Sequence, residues 1–215
     1  MTTIDRITGQ EEISDGKPHP GRRMTEEEFV DWCDDKTHAE WVDGEVIVMS
    51  PVSDLHGDLN TWLTSLVRLF IEQKDLGVVR GPEAQIRFAS QRRRREPDLL
   101  FVARNRLDIL RPNHVEGAPD LVVEIVSPES MARDWREKYL EYEAGGVREY
   151  WVIDPMADRV ETYSLGEDGR YRRLPEADGK VGSVVLAGFY IRPQWLWQRP
   201  LPKVVDALRE MGALV

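Results

Sequence analysis

The sequence predicts a mixed α/β (α+β) domain in which helices flank a mixed β-sheet core. The predicted elements run helix, hairpin, long helix, strands, helix and strands, an order typical of one domain built on a mixed sheet. The unbroken apolar run at 121–126 is typical of a strand buried on both faces. A chain of 215 residues with 41% hydrophobic and 32% charged residues has the size and balance of one globular domain.

The first elements are marked by capping and turn signals. A capping box at 25–28 opens a short helix. Two strand-like runs flank an Asp-Gly turn within residues 40–49, which is the strongest short hairpin signal. Apolar residues then recur at helical spacing over 54–75, and Gly77 is expected to cap the C-terminus of that long helix.

The rest of the chain alternates strands with two further helices. A helix over 130–144 ends at a Gly-Gly pair, and a C-terminal helix is predicted over 203–211. The predicted strands are 78–80, 84–88, 99–102, 121–126, 149–153, 160–165, 171–173 and 184–191. The predicted division is a polar N-terminal tail at 1–23, one domain at 24–198, and a C-terminal helix or tail at 199–215.

Composition and charge exclude several classes of protein. No apolar run is long enough to span a bilayer, and we expect no secretory signal. The single cysteine, Cys33, excludes an intrachain disulfide and a thiolate zinc site, so we expect a reduced, cytoplasmic protein without membrane attachment. The net charge of −10 argues against a nucleic-acid coat protein, although residues 80–111 hold nine arginines against four acidic residues.

Two carboxylates stand at apolar strands, where a charge needs a specific cause. Glu124 lies in the centre of the buried apolar run, and a buried carboxylate requires a partner, a metal ion or a shifted pKa. Asp98 opens the run 99–102, at the mouth of a buried strand, where open α/β sheets place their sites. Each also has a structural interpretation. Glu124 would pair with an arginine, and Asp98 would end a loop after a proline, as Asp120 is expected to do.

These two acids and one lysine fit a hydrolytic site that depends on a divalent metal. Acids on neighbouring strands hold Mg²⁺ with water completing its shell, and the ion acidifies that water and neutralises phosphate charge. Lys138 lies on the helix that follows the Glu124 strand, where an ammonium group would position the attacking water and offset charge. The alternative for Lys138 is a solvated lysine paired with Asp134, one helical turn earlier.

Several spaced motifs resemble the Uma-two family of restriction endonucleases. They are Glu-Trp-Val-Asp-Gly-Glu at 40–45, Glu-Pro-Asp at 96–98, Ala-Pro-Asp-Leu-Val-Val-Glu-Ile-Val-Ser-Pro at 118–128, the segment 134–138, and the segment 142–155. The resemblance covers about residues 24 to 195, with the motifs in the family's order. That family belongs to the PD-(D/E)XK nuclease superfamily, so the resemblance implies a restriction-endonuclease-like fold.

The resemblance also implies roles for individual residues. Asp98 corresponds to the motif aspartate and Glu124 to the (D/E) position, and these acids would hold Mg²⁺ or Mn²⁺ together with the main-chain carbonyl of Ile125. The usual lysine position, two residues after Glu124, holds Val126. This departs from the superfamily pattern, and Lys138 on the following helix takes the place of that lysine.

Further groups are candidates for the acidic site or for contacts with nucleic acid. Glu40 corresponds to the family's upstream glutamate and would complete the acidic site; the alternative is an exposed hairpin acid. His56 stands where the family tends to have a histidine, and it would contact phosphate, orient water or serve packing. Four arginines before Asp98 would contact a nucleic-acid backbone or form a solvated hairpin tip. These arginines are Arg92, Arg93, Arg94 and Arg95.

Together these residues predict a divalent-metal-dependent endonuclease that hydrolyses phosphodiester bonds. DNA is the expected substrate and a homodimer the expected assembly. A second hypothesis is a catalytically decayed module of the same fold that binds nucleic acid or a protein partner. A third, another phosphodiesterase or a nucleotide hydrolase, is disfavoured because the sequence lacks a glycine-rich phosphate loop. The predicted catalytic residues are Glu40, Asp98, Glu124 and Lys138.

Overall fold

The computed structural model of the chain describes residues 23–34, 37–128, 130–131 and 133–214. The predicted N-terminal tail lies outside the described residues except for Arg23, which forms an isolated antiparallel bridge with Glu45. Among the described residues, no helix has both the length and the apolar character needed to cross a membrane.

The described residues form thirteen strands and five α-helices. The strands are β1 (Ala39–Val42), β2 (Glu45–Val48), β3 (Gly77–Arg80), β4 (Gln85–Phe88), β5 (Arg93–Arg95), β6 (Leu99–Ala103), β7 (His114–Glu116), β8 (Leu121–Ile125), β9 (Glu149–Asp154), β10 (Arg159–Leu165), β11 (Tyr171–Arg173), β12 (Val181–Gly182) and β13 (Tyr190–Ile191). The helices are α1 (Glu26–Trp32), α2 (Asp54–Lys74), α3 (Lys138–Gly145), α4 (Pro193–Trp197) and α5 (Val204–Glu210). Short 3₁₀ segments span Ala89–Gln91 and Arg104–Ile109, and a π-helical turn spans Arg133–Glu137.

The strands divide between two mixed sheets and one small β-ribbon. The five-stranded sheet has the order β2-β1-β5-β4-β7, and only β4 and β7 pair in parallel. The six-stranded sheet has the order β11-β10-β9-β8-β6-β3, and only β8 and β9 pair in parallel. The ribbon pairs β12 with β13. Mixed sheets flanked by helices confirm the predicted fold class.

Two connections bring separate parts of the chain to one place. Parallel strands need a crossover, and the link from β8 to β9 runs through the π-helical turn and α3. The chain passes from the five-stranded to the six-stranded sheet over residues 96–98, between β5 and β6. The ends of β6 and β8 therefore lie near both α3 and the junction of the two sheets.

Side-chain alternation along β8 separates two hydrophobic cores. Leu121, Val123 and Ile125 belong to the core that includes the buried face of the long helix α2. Val122 belongs to the second core, together with Tyr142 of α3. By the same alternation Glu124 points towards that second core, so a charged group enters an apolar layer.

The predicted hairpin and long helix are confirmed, but the predicted cap of that helix is wrong. Asp75, in the left-handed conformation with φ 54°, ends α2. Gly77 instead begins β3, where a Cβ atom would lie 2.2 Å from the carbonyl oxygen of Val102. Glycine is needed there for the close approach of two strands.

Two other predicted elements are corrected by the structure. The single helix over 130–144 is wrong, because the π-helical turn at Arg133–Glu137 precedes α3. The predicted strand over 184–191 is also wrong except for its last two residues, which form β13. The main-chain N–H groups of Val184 and Val185 donate to the buried carboxylate of Glu149, at 2.8 Å each, and so do not enter a strand ladder.

Ion pairs of Glu26 attach α1 to the five-stranded sheet. Arg87 on β4 and Arg94 on β5 both donate to the Glu26 carboxylate, the latter at 2.8 Å. Hydrogen bonds from Arg87, and then from Arg94, lower the pKa of Glu26. The group therefore contributes stability above its unfolded pKa, and this contribution is lost as pH falls through the folded pKa.

We expect Glu26→Gln to lower the free energy of unfolding at pH 7 by about 1 kcal/mol, because one charged acceptor is removed from two guanidinium groups. Urea unfolding at several pH values measures this. The difference from wild type should shrink as the pH falls below the ordinary glutamate pKa of 4.5, and it should vanish below the lowered pKa of folded Glu26, where the wild-type carboxyl is also neutral. The control is Glu27→Gln, an exposed neighbour on the same turn. An equal effect of both variants would contradict this account.

Candidate active site

A cavity of about 550 Å³ lies at the ends of strands from both sheets. It is bordered by the segment after β2, the junction at 96–98, the end of β8 and the turn before α3. We call it the site cavity. The predicted residues that line it are His56, Asp98, Glu124, Ile125 and Lys138.

Asp98 is held by backbone and side-chain donors next to Glu124. The antiparallel register of β6 and β8 pairs Leu99 with Val123, and continuing it by one residue puts Asp98 opposite Glu124. The N–H of Ile125 donates to Asp98 Oδ2 at 2.6 Å. Proximity of the two predicted acids therefore follows from strand pairing.

His56 contacts Asp98 and the end of β8 from the first turn of α2. The hydroxyl of Ser53 caps that helix by accepting from the His56 N–H, which fixes the start of the helix. His56 Nε2 lies 3.0 Å from the carbonyl oxygen of Ile125 and 3.2 Å from Asp98 Oδ1. Burial lowers the pKa of His56, but Asp98, the Ile125 carbonyl and Asp134 together outweigh burial, so the pKa is raised overall.

Lys138 is the centre of a set of buried charges, defined here as the buried ion cluster. Its Nζ lies 3.0 Å from Glu124 Oε2, 3.1 Å from Glu40 Oε1 and 3.3 Å from Asp134 Oδ1. The lysine is buried, so it is not the solvated helix residue of the alternative interpretation. The members of the cluster are Glu40, Arg95, Glu124, Asp134 and Lys138.

Glu40 joins the five-stranded sheet to this cluster. Its Oε2 accepts from Arg95 at 2.7 Å, and its side chain is fully buried, which rules out an exposed hairpin acid. Burial alone would raise the pKa of Glu40, but Lys138 and Arg95 outweigh burial and lower it to about 2. Glu40 is not among the residues that line the site cavity, and it contacts Lys138 from the side of the sheet.

The remaining carboxylates of the cluster share too little positive charge. Burial raises the pKa of Glu124 well above its usual value, and the neighbouring carboxylates of Asp134, Asp98 and Glu40 raise it further, against the effect of Lys138. Burial likewise raises the pKa of Asp134. One ammonium group serves three carboxylates, so the site cavity has an excess of negative charge.

The structure also shows site residues that sequence reasoning did not select. Asp134 was treated only as a partner of Lys138, yet it is buried and lines the site cavity. The hydroxyl of Tyr142 donates to Glu124 Oε1 at 2.7 Å, one helical turn after Lys138. Asp134, Lys138 and Tyr142 are four residues apart in succession, and this spacing is the signal in the sequence that could have identified them together.

The structure does not bring the four-arginine segment to the site cavity. Arg92 is exposed, Arg93 pairs with Asp43 and Glu141, and Arg94 pairs with Glu26. Arg95 is fully buried between Glu40 and Glu141. Of the four arginines, only Arg92 therefore fits the alternative of a solvated hairpin tip. Arg95 is part of the buried ion cluster, where it pairs with Glu40.

The oxygen donors at the site fit a hard divalent cation. No group of three or more His, Cys, Asp or Glu side chains within the described residues is arranged as a metal site. Mg²⁺ and Mn²⁺ need fewer protein ligands, because one or two carboxylates with a carbonyl and water suffice. Asp98, Glu124 and the carbonyl of Ile125 supply that set. Asp134 adds a further buried carboxylate beside them, and its Oδ1 has only the ion pair with Lys138 at 3.3 Å.

Comparisons with known proteins identify the family to which this chain belongs and a known structure with the same fold. The fold is that of a nuclease structure from Anabaena variabilis, described as "a putative nuclease belonging to DUF820", with a TM-score of 0.69 and 19% identity. The match covers 81% of this chain and 97% of that one. The chain belongs to the Uma2 family, described as "Putative restriction endonuclease", whose model matches residues 26–192. No curated protein matches it.

We expect Lys138→Met to destabilise the protein by about 3–5 kcal/mol, because three buried carboxylates lose their shared cation. Chemical denaturation at pH 7 measures the loss. Lys138→Met combined with Glu124→Gln should be less destabilised than the single variant, since one buried charge is removed with the cation. Lys203→Met, at an exposed lysine, is the control. If Lys138→Met were as stable as wild type, this lysine would not hold the cluster together.

Proposed function

We propose that the protein is a divalent-metal-dependent endonuclease that hydrolyses phosphodiester bonds in DNA. The observation that carries the proposal is the placement of Lys138 Nζ 3.0 Å from Glu124, on the same cavity as Asp98. These residues are distant in sequence, and they combine carboxylates that can hold a metal ion with a cation that can offset charge developing on a phosphate. Membership of the Uma2 family supports a nuclease independently of this geometry.

Asp98, Glu124 and the carbonyl of Ile125 would hold Mg²⁺ or Mn²⁺. When bound, the ion would acidify a water molecule and neutralise charge on the phosphate. Glu124 remains able to bind a cation while paired, because an ionised carboxylate has about four acceptor positions. His56 and the Ile125 N–H hold Asp98 in place by the contacts described above.

Lys138 would position the attacking water and offset charge that develops on the phosphate. The superfamily position of this lysine, two residues after Glu124, is occupied by Val126, which is buried in the second core. Helix α3, which packs against the same core, supplies the ammonium group instead, and Glu40 and Asp134 fix its orientation. Glu40 would therefore act on Lys138 and not on the substrate.

We expect wild-type protein to convert supercoiled plasmid to open-circular or linear forms only with Mn²⁺ or Mg²⁺. Outer-shell changes alone reduce activity about 10- to 100-fold at metal sites, so Glu124→Gln and Asp98→Asn should lose more than this. The matched control is Glu161→Gln. Glu161 on β10 and Glu124 on β8 pair with the same residue of β9, Val152, but Glu161 does not line the site cavity. Equal cutting by Glu124→Gln would contradict the proposal.

A separate test measures metal binding by a method that does not depend on cleavage. Mn²⁺ at about 100 times its dissociation constant should raise the free energy of unfolding by about 2.7 kcal/mol. We expect a rise in Tm for wild type and Glu161→Gln and none for Glu124→Gln. A wild-type Tm that does not respond to Mn²⁺ would instead support the decayed binding module, whose site has lost its cation.

We also propose that the protein is a homodimer and that it acts in the cytoplasm. The proposed site is formed within one chain, so cutting both strands of a duplex in one binding event calls for two copies. Paired four-arginine segments in such a dimer would each offer the exposed guanidinium of Arg92 to the duplex. Among the described residues the one cysteine, Cys33, is free, which suits a reducing compartment.

A further inference from the structure

Arg133 is a cationic residue on the site cavity that the proposed chemistry does not yet use. It begins the π-helical turn before α3 and lines the site cavity. Its Nε is buried and has no hydrogen-bond partner, and no ion pair of Arg133 occurs within the described part of the chain. A buried donor without an acceptor is rare in proteins, so this atom indicates a group that the free protein does not supply.

Arg133 differs in this respect from the other cationic groups of the cavity. Lys138 is neutralised by three carboxylates, and His56 is engaged by Asp98 and the Ile125 carbonyl. Arg133 is thus the one cationic side chain lining the site cavity that has no anionic partner, within the residues that the structure describes. Its charge is available to an anion that enters from solvent.

The turn that carries Arg133 is fixed by its neighbours. The Tyr150 hydroxyl donates to the main-chain carbonyl of Asp134 at 2.8 Å, and Ser130 donates to the Asp134 carboxylate. Asp134 is thereby directed to Lys138, while Arg133 remains at the cavity wall without a carboxylate partner. π-Helical turns of this kind occur often at functional sites, because they change which side chains face a cavity.

We propose that Arg133 binds the non-bridging oxygens of a phosphate group of the substrate. A guanidinium presents paired N–H donors that match two phosphate oxygens, whereas a carboxylate-rich cavity would otherwise repel an anion. Arg133 thus recognises a phosphate at the site and attracts it before hydrolysis. The identity of this phosphate as part of a nucleic acid depends on the proposed function, but the anion-binding role of Arg133 does not.

The first test measures binding of a short fluorescent DNA duplex in EDTA, where the proposed cleavage cannot occur. We expect Arg133→Gln to weaken binding about tenfold or more, because a charged hydrogen-bonded contact is lost. The slope of log affinity against log salt should fall by about 0.9, the value for one phosphate contact. Arg133→Lys should recover part of the affinity, since it restores charge without paired donors.

The matched control is Arg136→Gln, on the same turn. Arg136 is exposed, does not line the site cavity and carries the same charge. Its removal should leave the affinity and the salt slope close to wild type. Wild-type binding by Arg133→Gln would overturn the proposal. An equal loss in both variants would also overturn it, because general surface charge would then explain the effect.

A second test separates this proposal from the nuclease proposal. Inorganic phosphate is titrated into ¹⁵N-labelled wild-type protein without metal, and the arginine Nε–H signal that is absent from Arg133→Lys is followed. A saturable shift of that signal supports an anion site at Arg133 even if the protein cuts no nucleic acid. An unshifted signal overturns the anion site even if plasmid is cut. The two proposals therefore fail on different measurements.

Discussion

The ammonium group of Lys138 binds carboxylates from three different parts of the fold. Glu40 comes from the five-stranded sheet, Glu124 from the six-stranded sheet and Asp134 from the turn before α3, and all three contact Lys138 Nζ. Buried charges of this kind are tolerated only when their geometry is good and their remaining atoms are satisfied. Lys138 thus links the two sheets at the site, in addition to the second core, which holds residues of both sheets.

The same arrangement leaves the site short of positive charge. Arg95 supports Glu40 but is shared with Glu141, and Lys138 is shared by three acids. Asp98 adds a further carboxylate at the cavity wall. A protein that only needed a stable core would gain from apolar residues of the same volume, so the charges indicate a cationic ligand. We propose a divalent metal ion as that ligand, because such ions bind oxygen donors.

Local patterns predicted much of the fold and the centre of the site. Glu124 stood out because a charge interrupted an apolar run, and the structure places it in the buried ion cluster. Asp98 and Asp120 both follow a proline before a strand, and Asp120 proves structural: its carboxylate accepts from the N–H of Ala103 and pairs with Arg106. The hairpin and the long helix were predicted because their signals lie within a few residues.

Features that depend on distant pairing were not predictable from local patterns. The burial of Arg95 requires β1 to pair with β5, about fifty residues away, and a basic run gives no sign of such partners. The π-helical turn has no local signal in the sequence, so Asp134 was considered only as a possible partner of Lys138, and Arg133 was not considered. In both cases tertiary contacts decided which charges face the cavity.

The most direct test of this account is a crystal structure of the protein grown with Mn²⁺, with anomalous scattering recorded near the manganese edge. The account predicts one strong anomalous peak in the site cavity, in contact with the carboxylates of Asp98 and Glu124 and the carbonyl oxygen of Ile125. The same crystals of Glu124→Gln should lack the peak. A wild-type structure with Lys138 still on Glu124 and no manganese in the cavity would contradict the central claim.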